Sequence, residues 1–471
     1  MTRLLKTALP LLLLLAAPLL LRTRESKVQA AAHATLTIFS PHSESVKYEM
    51  DVAFARHYRA ATGRPIRVEW LNVGGTSDIV RYIDERFTTA FRRQWERAGR
   101  AWTPEVANGF KDPAATAPAA VAARAEFLAS NLGVGVDFFF GGGTFDQKRV
   151  ADWGYAVPAD LAPVVPEYFR TVPGTFSGET LRDPQERFYG ACLSSFGVCY
   201  NPERVRELGL PAPRQWADLA RPGFRGAIIV GDPTKSGSIT KCFEMILQQA
   251  MHEAPDPGAG WEVGFARLLA ILGNSRQVTD SAGAVTREVA AGNAAAGMAI
   301  DFYALSEAQW SAWQSGGEPR IAYVLPHNGS AVTADPVQML RGAPNREAAR
   351  AFIAFVISPE GQKLWNYRPG EPGGPERHAL RRQPILPSMY GPTHRPHMAD
   401  PDYDPYTAAK GFDYRPEYTG RFFTLMRVLI KCAMLDVHDE LRAAWGAICD
   451  AGGPEKCPAA WGEFSRAPVA Y

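Results

Sequence analysis

The residues best placed to do chemistry in this chain are small hydroxyl residues and glycines grouped where a predicted strand gives way to a predicted helix. Gly231-Asp232-Pro233-Thr234-Lys235-Ser236-Gly237-Ser238 follows the apolar run Gly226 to Val230 and precedes helical spacing at Ile239, Phe243, Ile246 and Ala250. Ser40-Pro41-His42-Ser43-Glu44-Ser45, Gly74-Gly75-Thr76-Ser77-Asp78 and Thr279-Asp280-Ser281-Ala282-Gly283 each precede a similar helix. A helix start presents unpaired backbone N–H groups and a partial positive charge, so several aimed at one cleft form an anion site with few cationic side chains. The chemistry these residues suit is binding through hydrogen bonds, not bond making.

Other constellations are weaker. Gly231 to Ser238 differs from a phosphate-binding P-loop because Lys235 precedes the second glycine, which takes the lysine away from the phosphates and excludes nucleotide hydrolysis. Gly141-Gly142-Gly143-Thr144 follows the apolar run Val136 to Phe140 and reads as a close backbone approach to a ligand or as a hinge between lobes. Asp301-Phe302-Tyr303 ends the strand Ala296 to Ile300 and offers a carboxylate and a phenol where α/β sheets hold ligands. His42 lies beside Ser43 and Glu44, but one loop histidine makes neither a catalyst nor a metal centre. Ser194-Ser195 lacks a G-x-S-x-G setting and a base. The chain is therefore read as no enzyme, with no cofactor and no metal.

The elements that must position these residues alternate. Strands are expected over 36–40, 66–72, 136–140, 227–230, 296–300 and 321–325, with helical spacing at Val46, Met50, Phe54 and Tyr58, and at Ile79, Ile83 and Phe87. That pattern gives an α/β fold with mostly parallel sheets. Residues 88–126 are rich in Arg, Ala and Pro and read as a helical insertion outside the first sheet; Pro369 to Tyr418 reads as long loops; Phe422 to Ala447 reads as a last apolar helix. The chain has 471 residues, 46% hydrophobic and 21% charged, with a formal net charge of +2, enough for two or three domains. Its near-neutral balance and the lack of basic runs interleaved with aromatics point away from nucleic acid.

Residues 1–34 read as an export signal, with Arg3 and Lys6 before an apolar stretch from Ala8 to Leu21 and a small-residue end at Ala32-His33-Ala34. Arg22, Arg24 and Lys27 after the apolar stretch leave an uncleaved anchor as the alternative. Of six cysteines, Cys449 and Cys457 flank Gly452-Gly453-Pro454 and are the best disulfide pair; Cys192, Cys199, Cys242 and Cys432 read as free thiols.

Taken in order, LTIFSPHSE (36–44), GGTSDI (74–79), VDFFFGGGTFD (136–146), GVCYNPERV (197–205), GDPTKSGS (231–238), DSAGAVTREVAAGNAAAGMAIDFYA (280–304) and AARAFIAFVISPEGQKLW (348–365) resemble the substrate-binding proteins of ABC importers. The resemblance is to the ferric-iron-type group of family 1 extracellular solute-binding proteins and covers roughly residues 35–390. It implies a two-lobed type II periplasmic-binding-protein fold with a hinge. Residues 36–140 and about 328–390 would form the first lobe, 141–327 the second, and 391–471 an extension packed on the body.

The resemblance further implies an exported, periplasmic, monomeric protein that captures a small anion such as a phosphate ester or phosphonate for a membrane permease. Its alternatives are a ferric-ion binder and a sensory protein that presents itself to a membrane receptor. Iron-binding relatives use adjacent tyrosines where this sequence has Phe302-Tyr303, so one oxygen ligand is missing. The ligand-binding residues carried over are His42, Ser43, Thr76, Ser77, Gly142, Gly143, Ser194, Ser195, Ser236, Gly237, Ser238, Asp280, Ser281, Asp301 and Tyr303.

Overall fold

A computed structural model describes residues 34–471, so the export-signal reading lies outside the described residues apart from Ala34. Eight strands carry the architecture: β1 (Ala34–Phe39), β2 (Ile66–Leu71), β3 (Phe138–Phe140), β4 (Tyr189–Tyr200), β5 (Ile228–Gly231), β6 (Ser275–Thr279), β7 (Ala296–Ile300) and β8 (Val332–Leu340). They are ordered β2-β1-β3-β8-β4-β7-β5-β6. The outer pairs β1–β2, β1–β3, β5–β6 and β5–β7 are parallel, while β4 and β8 run antiparallel to their neighbours.

The two lobes follow from how β4 is shared. Tyr189 to Ser195 pair with β8, and Phe196 to Tyr200 pair with β7. Ala322–Val324 pairs with the same far end of β4 before β8 returns to the first sheet. The apolar cores divide accordingly. Leu36, Ile38, Phe138, Phe352 and Trp365 pack in the first lobe, flanked by a second layer with Phe87, Phe127 and Tyr155; Ile228, Phe243, Met298 and Phe265 pack in the other. The fold is the two-lobed α/β arrangement expected.

The crossing is not at Gly141 to Gly143, and the second lobe does not begin at 141. The Gly141 amide donates to Pro336 O (2.8 Å) and its carbonyl accepts from Gln147 Nε2 (2.8 Å), which bolts this turn onto β8 of the first lobe. Ala159, Leu161, Tyr168 and Leu181 then pack in the first-lobe core, so the chain changes lobe only at Ser195–Phe196. A glycine run after a strand was a hinge signal, but its positive φ angles (96° and 85°) serve close approach instead.

Residues 104–109 and 118–129 are helical and pack on helix 76–97 with the Phe87 layer. The tail divides between lobes: Leu380 to Ala409 join the first-lobe core, and Phe412 to Ala467 the second. The expected long helix over 422–447 is broken, with a π-helical segment at Lys431–Leu435 between helices 423–430 and 438–450. Cys449 and Cys457 are free thiols, correcting the expected disulfide; the Cys457 thiol donates to Gly453 O (3.1 Å) at the end of helix 438–450. Among the described residues no helix is long and apolar enough to cross a membrane.

Candidate functional site

Each parallel strand hands over to a helix at its carboxyl end: β1 to α1 (Glu44–Thr62), β2 to α2 (Thr76–Arg97), β3 to α3 (Thr144–Asp152), β5 to α4 (Gly237–Glu253), β6 to α5 (Ala282–Ala290) and β7 to α6 (Asp301–Ser315). The four predicted strand-to-helix turns are all real, with Ser43, Gly75, Ser236 and Ser281 as N-caps and Gly143 as a fifth. Ser236 Oγ accepts from the Ile239 amide (3.4 Å) and lies 3.1 Å from Ser238 Oγ. Ser43 and Ser281 hydroxyls make no cap bond.

The first-lobe turns meet through glycine. A Cβ on Gly141 would lie 2.7 Å from the His42 ring, and one on Gly142 would lie 2.6 Å from Thr76 Cγ2. Only hydrogen fits there, so the loops of α1, α2 and α3 converge. From the second lobe, Gly237 reaches the same place by way of Arg427, on α7 (Phe423–Ile430). Arg427 Nη2 is 3.8 Å from where a Gly237 Cβ would be, and its Nη1 donates to Ser77 Oγ (3.4 Å). Arg427 makes no ion pair within 4 Å among the described residues, and its Nε is buried without a partner. Burial lowers its pKa, opposed by the nearby Asp146.

A second set of groups lies against the hinge. His42 is buried; its Nε2 is 3.1 Å from Asp335 Oδ2 and its Nδ1 3.1 Å from Ser40 Oγ. Burial lowers the His42 pKa, so the ring is neutral at neutral pH. Asp335 is held ionised by Arg382 and His42 against the cost of its burial. A carboxylate only accepts, so Nε2–H donates to Asp335 and bare Nδ1 accepts from the Ser40 hydroxyl. Asp335 also pairs with Arg382, whose guanidinium lies 3.8 Å from the Phe302 ring centroid in the opposite lobe. Tyr303 beside it is exposed, and a side chain at Gly283 would come within 3.9 Å of its ring.

Three expected ligand groups are placed otherwise. Ser195 donates through its amide (2.7 Å) and hydroxyl (3.0 Å) to Asp301 Oδ2, and accepts from Tyr323 (3.2 Å) and Tyr403 (3.1 Å) hydroxyls. Asp301 Oδ1 accepts from the Phe302 amide (2.7 Å). Both residues are therefore spent on fastening the hinge. Asp280 is exposed and makes no hydrogen bond among the described residues. Ser194 Oγ, by contrast, is buried and has no partner. Among the described residues there is no group of three His, Cys, Asp or Glu side chains that could hold a metal ion.

Arg382, Asp335 and Arg427 were missed from the sequence. Arg427 had a signal: it is the one charged residue in the apolar stretch Phe423 to Ile430. Asp335 and Arg382 had none, since a strand bulge at Asp335/Pro336 and a return loop bring them together.

A model of the family described as bacterial extracellular solute-binding protein matches residues 134–382. The phosphoglycerate transport regulatory protein PgtC of Salmonella typhimurium is 31% identical over 173 residues, covering 36% of this chain and 39% of that protein. The iron uptake protein A2 of Synechocystis is 28% identical over 209 residues, covering 42% of this chain and 56% of that protein. The matches therefore span less than two thirds of either relative. Iron-bound HitA from Pseudomonas aeruginosa superposes with a TM-score of 0.53 at 16% identity, covering 84% of this chain and 98% of that one. AfuA from Actinobacillus pleuropneumoniae, with exogenous fructose-6-phosphate bound, gives 0.50 at 17% identity, covering 84% and 100%. These likenesses show the shared fold.

Proposed function

The chain belongs to the bacterial extracellular solute-binding proteins, and from that premise we propose that it captures a small phosphate-bearing anion between its lobes for an ABC-importer permease. It acts after export, in the periplasm. The observation that carries this reading is Arg427, a half-buried guanidinium without a carboxylate partner, set among the starts of α2 and α4. Helix starts repel a cation. Such an arrangement is relieved by an anion, and a phosphate group matches N–H donors, hydroxyls and a guanidinium fork together. Thr76, Ser77, Gly142, Gly143, Ser236, Gly237 and Ser238 are the proposed partners.

The ferric reading is disfavoured by Phe302, whose ring carries a cation, Arg382, where a metal would need a second anionic oxygen. A receptor in place of a permease is the second reading, favoured by the word "regulatory" in the name of the Salmonella relative. Retrieval of membrane partners by the tagged protein distinguishes the two.

Titration calorimetry with 3-phosphoglycerate, fructose 6-phosphate and ferric citrate tests the ligand class. Stoichiometric binding of a phosphate ester is expected, with no tyrosinate-to-iron absorption. Arg427→Gln should weaken that binding by about 10- to 100-fold, the worth of one charged hydrogen bond of about 1.5–3 kcal/mol. The melting temperature of the ligand-free variant should hold or rise, because the guanidinium has no ion pair to lose. Ferric binding with that absorption, and none of a phosphate ester, overturns the reading.

A further inference from the structure

Arg382 is a charged side chain only 7% exposed, and its bonding is incomplete. Its hydrogen bonds to Asp335 and to Cys192 Sγ (3.9 Å) both leave through Nη1. Nε is buried without a partner, and Nη2 makes no hydrogen bond among the described residues. A guanidinium carries five N–H donors, and leaving several unmatched in a buried place is costly. The group is nevertheless held firmly: Asp335 anchors one edge, and the Phe302 ring lies against its face at 3.8 Å. His42, itself held by Ser40, in turn fixes Asp335. Arg381, just before it, has a φ of 51°, a backbone conformation disfavoured for a residue with a side chain, and its own guanidinium is tied to Asp400.

This guanidinium bridges the lobes. Arg382 is supplied by the segment that pairs with the first-lobe half of β4, and Phe302 by α6 of the second lobe. Contacts run from Arg382 through Asp335 and His42 to Gly141, and from the next residue, Gly142, through Thr76 and Ser77 to Arg427. The glycine turn thus joins two cationic centres, one among helix starts and one at the hinge.

We propose that Arg382 is a second ligand contact, reading a carboxylate on the same molecule whose phosphate sits at Arg427, so that the ligand class is a small phosphorylated carboxylic acid. The inference rests on the phosphate reading above. A phosphate dianion calls for several donors, which the helix starts supply. The open edge of Arg382 matches a monoanionic carboxylate instead. Asp335 and His42 are positioning residues that act through Arg382. An orphaned donor edge held by an ion pair and a stacked ring is then satisfied when ligand binds.

The test compares phosphoglycolate with ethyl phosphate, which keeps the phosphate and replaces the carboxylate by a methyl group. Calorimetry on the full chain should find the wild type preferring phosphoglycolate by at least about tenfold, the worth of roughly 1.4 kcal/mol. Arg382→Lys, which keeps the charge beside Asp335 but loses the fork, should remove that preference and leave ethyl phosphate affinity within about twofold. Phe302→Leu, which removes the ring against the guanidinium but keeps the Arg382–Asp335 ion pair, should reduce the preference without unfolding the protein. Equal loss of both ligands in Arg382→Lys would show a purely structural role and overturn the inference. So would a wild type that binds both alike. A wild type that binds neither of these nor any phosphate ester overturns the phosphate reading along with it.

Discussion

Asp301 shows how the hinge uses ionisable groups. Its carboxyl is buried, and burial pushes its pKa to about 7 although three donors from Ser195 and Phe302 pull the other way. An unfolded aspartate titrates near 4. Between roughly pH 4 and 7 the folded chain holds a proton that the unfolded chain has released, so this group's contribution to stability falls as pH rises through that window. Asp301→Asn mimics the protonated form at every pH. The melting temperature of the variant relative to wild type is therefore expected to be higher at pH 8 than at pH 5. An equal difference at the two pH values would show that Asp301 does not titrate in this window.

Among the elements, α4 is where the lobes are tied. Lys241 Nζ lies 2.6 Å from Glu179 Oε1, in the first-lobe hairpin 175–180, and 2.8 Å from Glu244 Oε2 on its own helix. The Tyr414 ring lies 4.0 Å away, and its hydroxyl donates to Glu244 (2.9 Å). Burial alone would lower the Lys241 pKa, but the two carboxylates outweigh it and raise it; burial raises Glu179. Lys241→Met leaves two buried carboxylates uncompensated, and should cost about 3–5 kcal/mol in urea unfolding. A loss below about 1 kcal/mol would mean the cluster is hydrated and the tie is weak.

The sequence disclosed the turns but not the ties. Strand-to-helix turns are local: Ser236, Gly237 and Ser238 sit between an apolar run and a helical period, and both are visible in a short window. β4 is apolar from Tyr189 to Val198 apart from Gly190, Ser194-Ser195 and Gly197, and nothing in it says where its pairing partner changes from β8 to β7. That change is decided by strands more than 90 residues away. The Arg382–Asp335–His42 set joins positions 47 and 293 apart in sequence, beyond any spacing rule.

At the scale of the whole molecule, the tail links the lobes outside the hinge strands. The Tyr414 amide donates to Ser177 O (2.9 Å), the Ser177 hydroxyl donates to Phe412 O (2.7 Å), and the Phe145 and Phe423 rings are 5.0 Å apart. Phe412, Tyr414 and Phe423 belong to the second-lobe core, whereas Ser177 and Phe145 stand on first-lobe elements. A binder joined only by hinge strands closes by large rotation. Here the clasp restrains opening, and the radius of gyration of the wild type should change little between the ligand-free and phosphate-ester-bound states. Gly178, with φ 73°, is the weak point: a Cβ there would lie 1.8 Å from Tyr414 O, closer than any contact allows. Gly178→Val should therefore break the clasp while leaving both cores intact. Small-angle scattering is expected to show a larger ligand-free radius for that variant and a marked contraction when ligand is added. If the wild type contracts as much as the variant, the tail does not restrain the lobes, and β4 and β8 alone set how far they open.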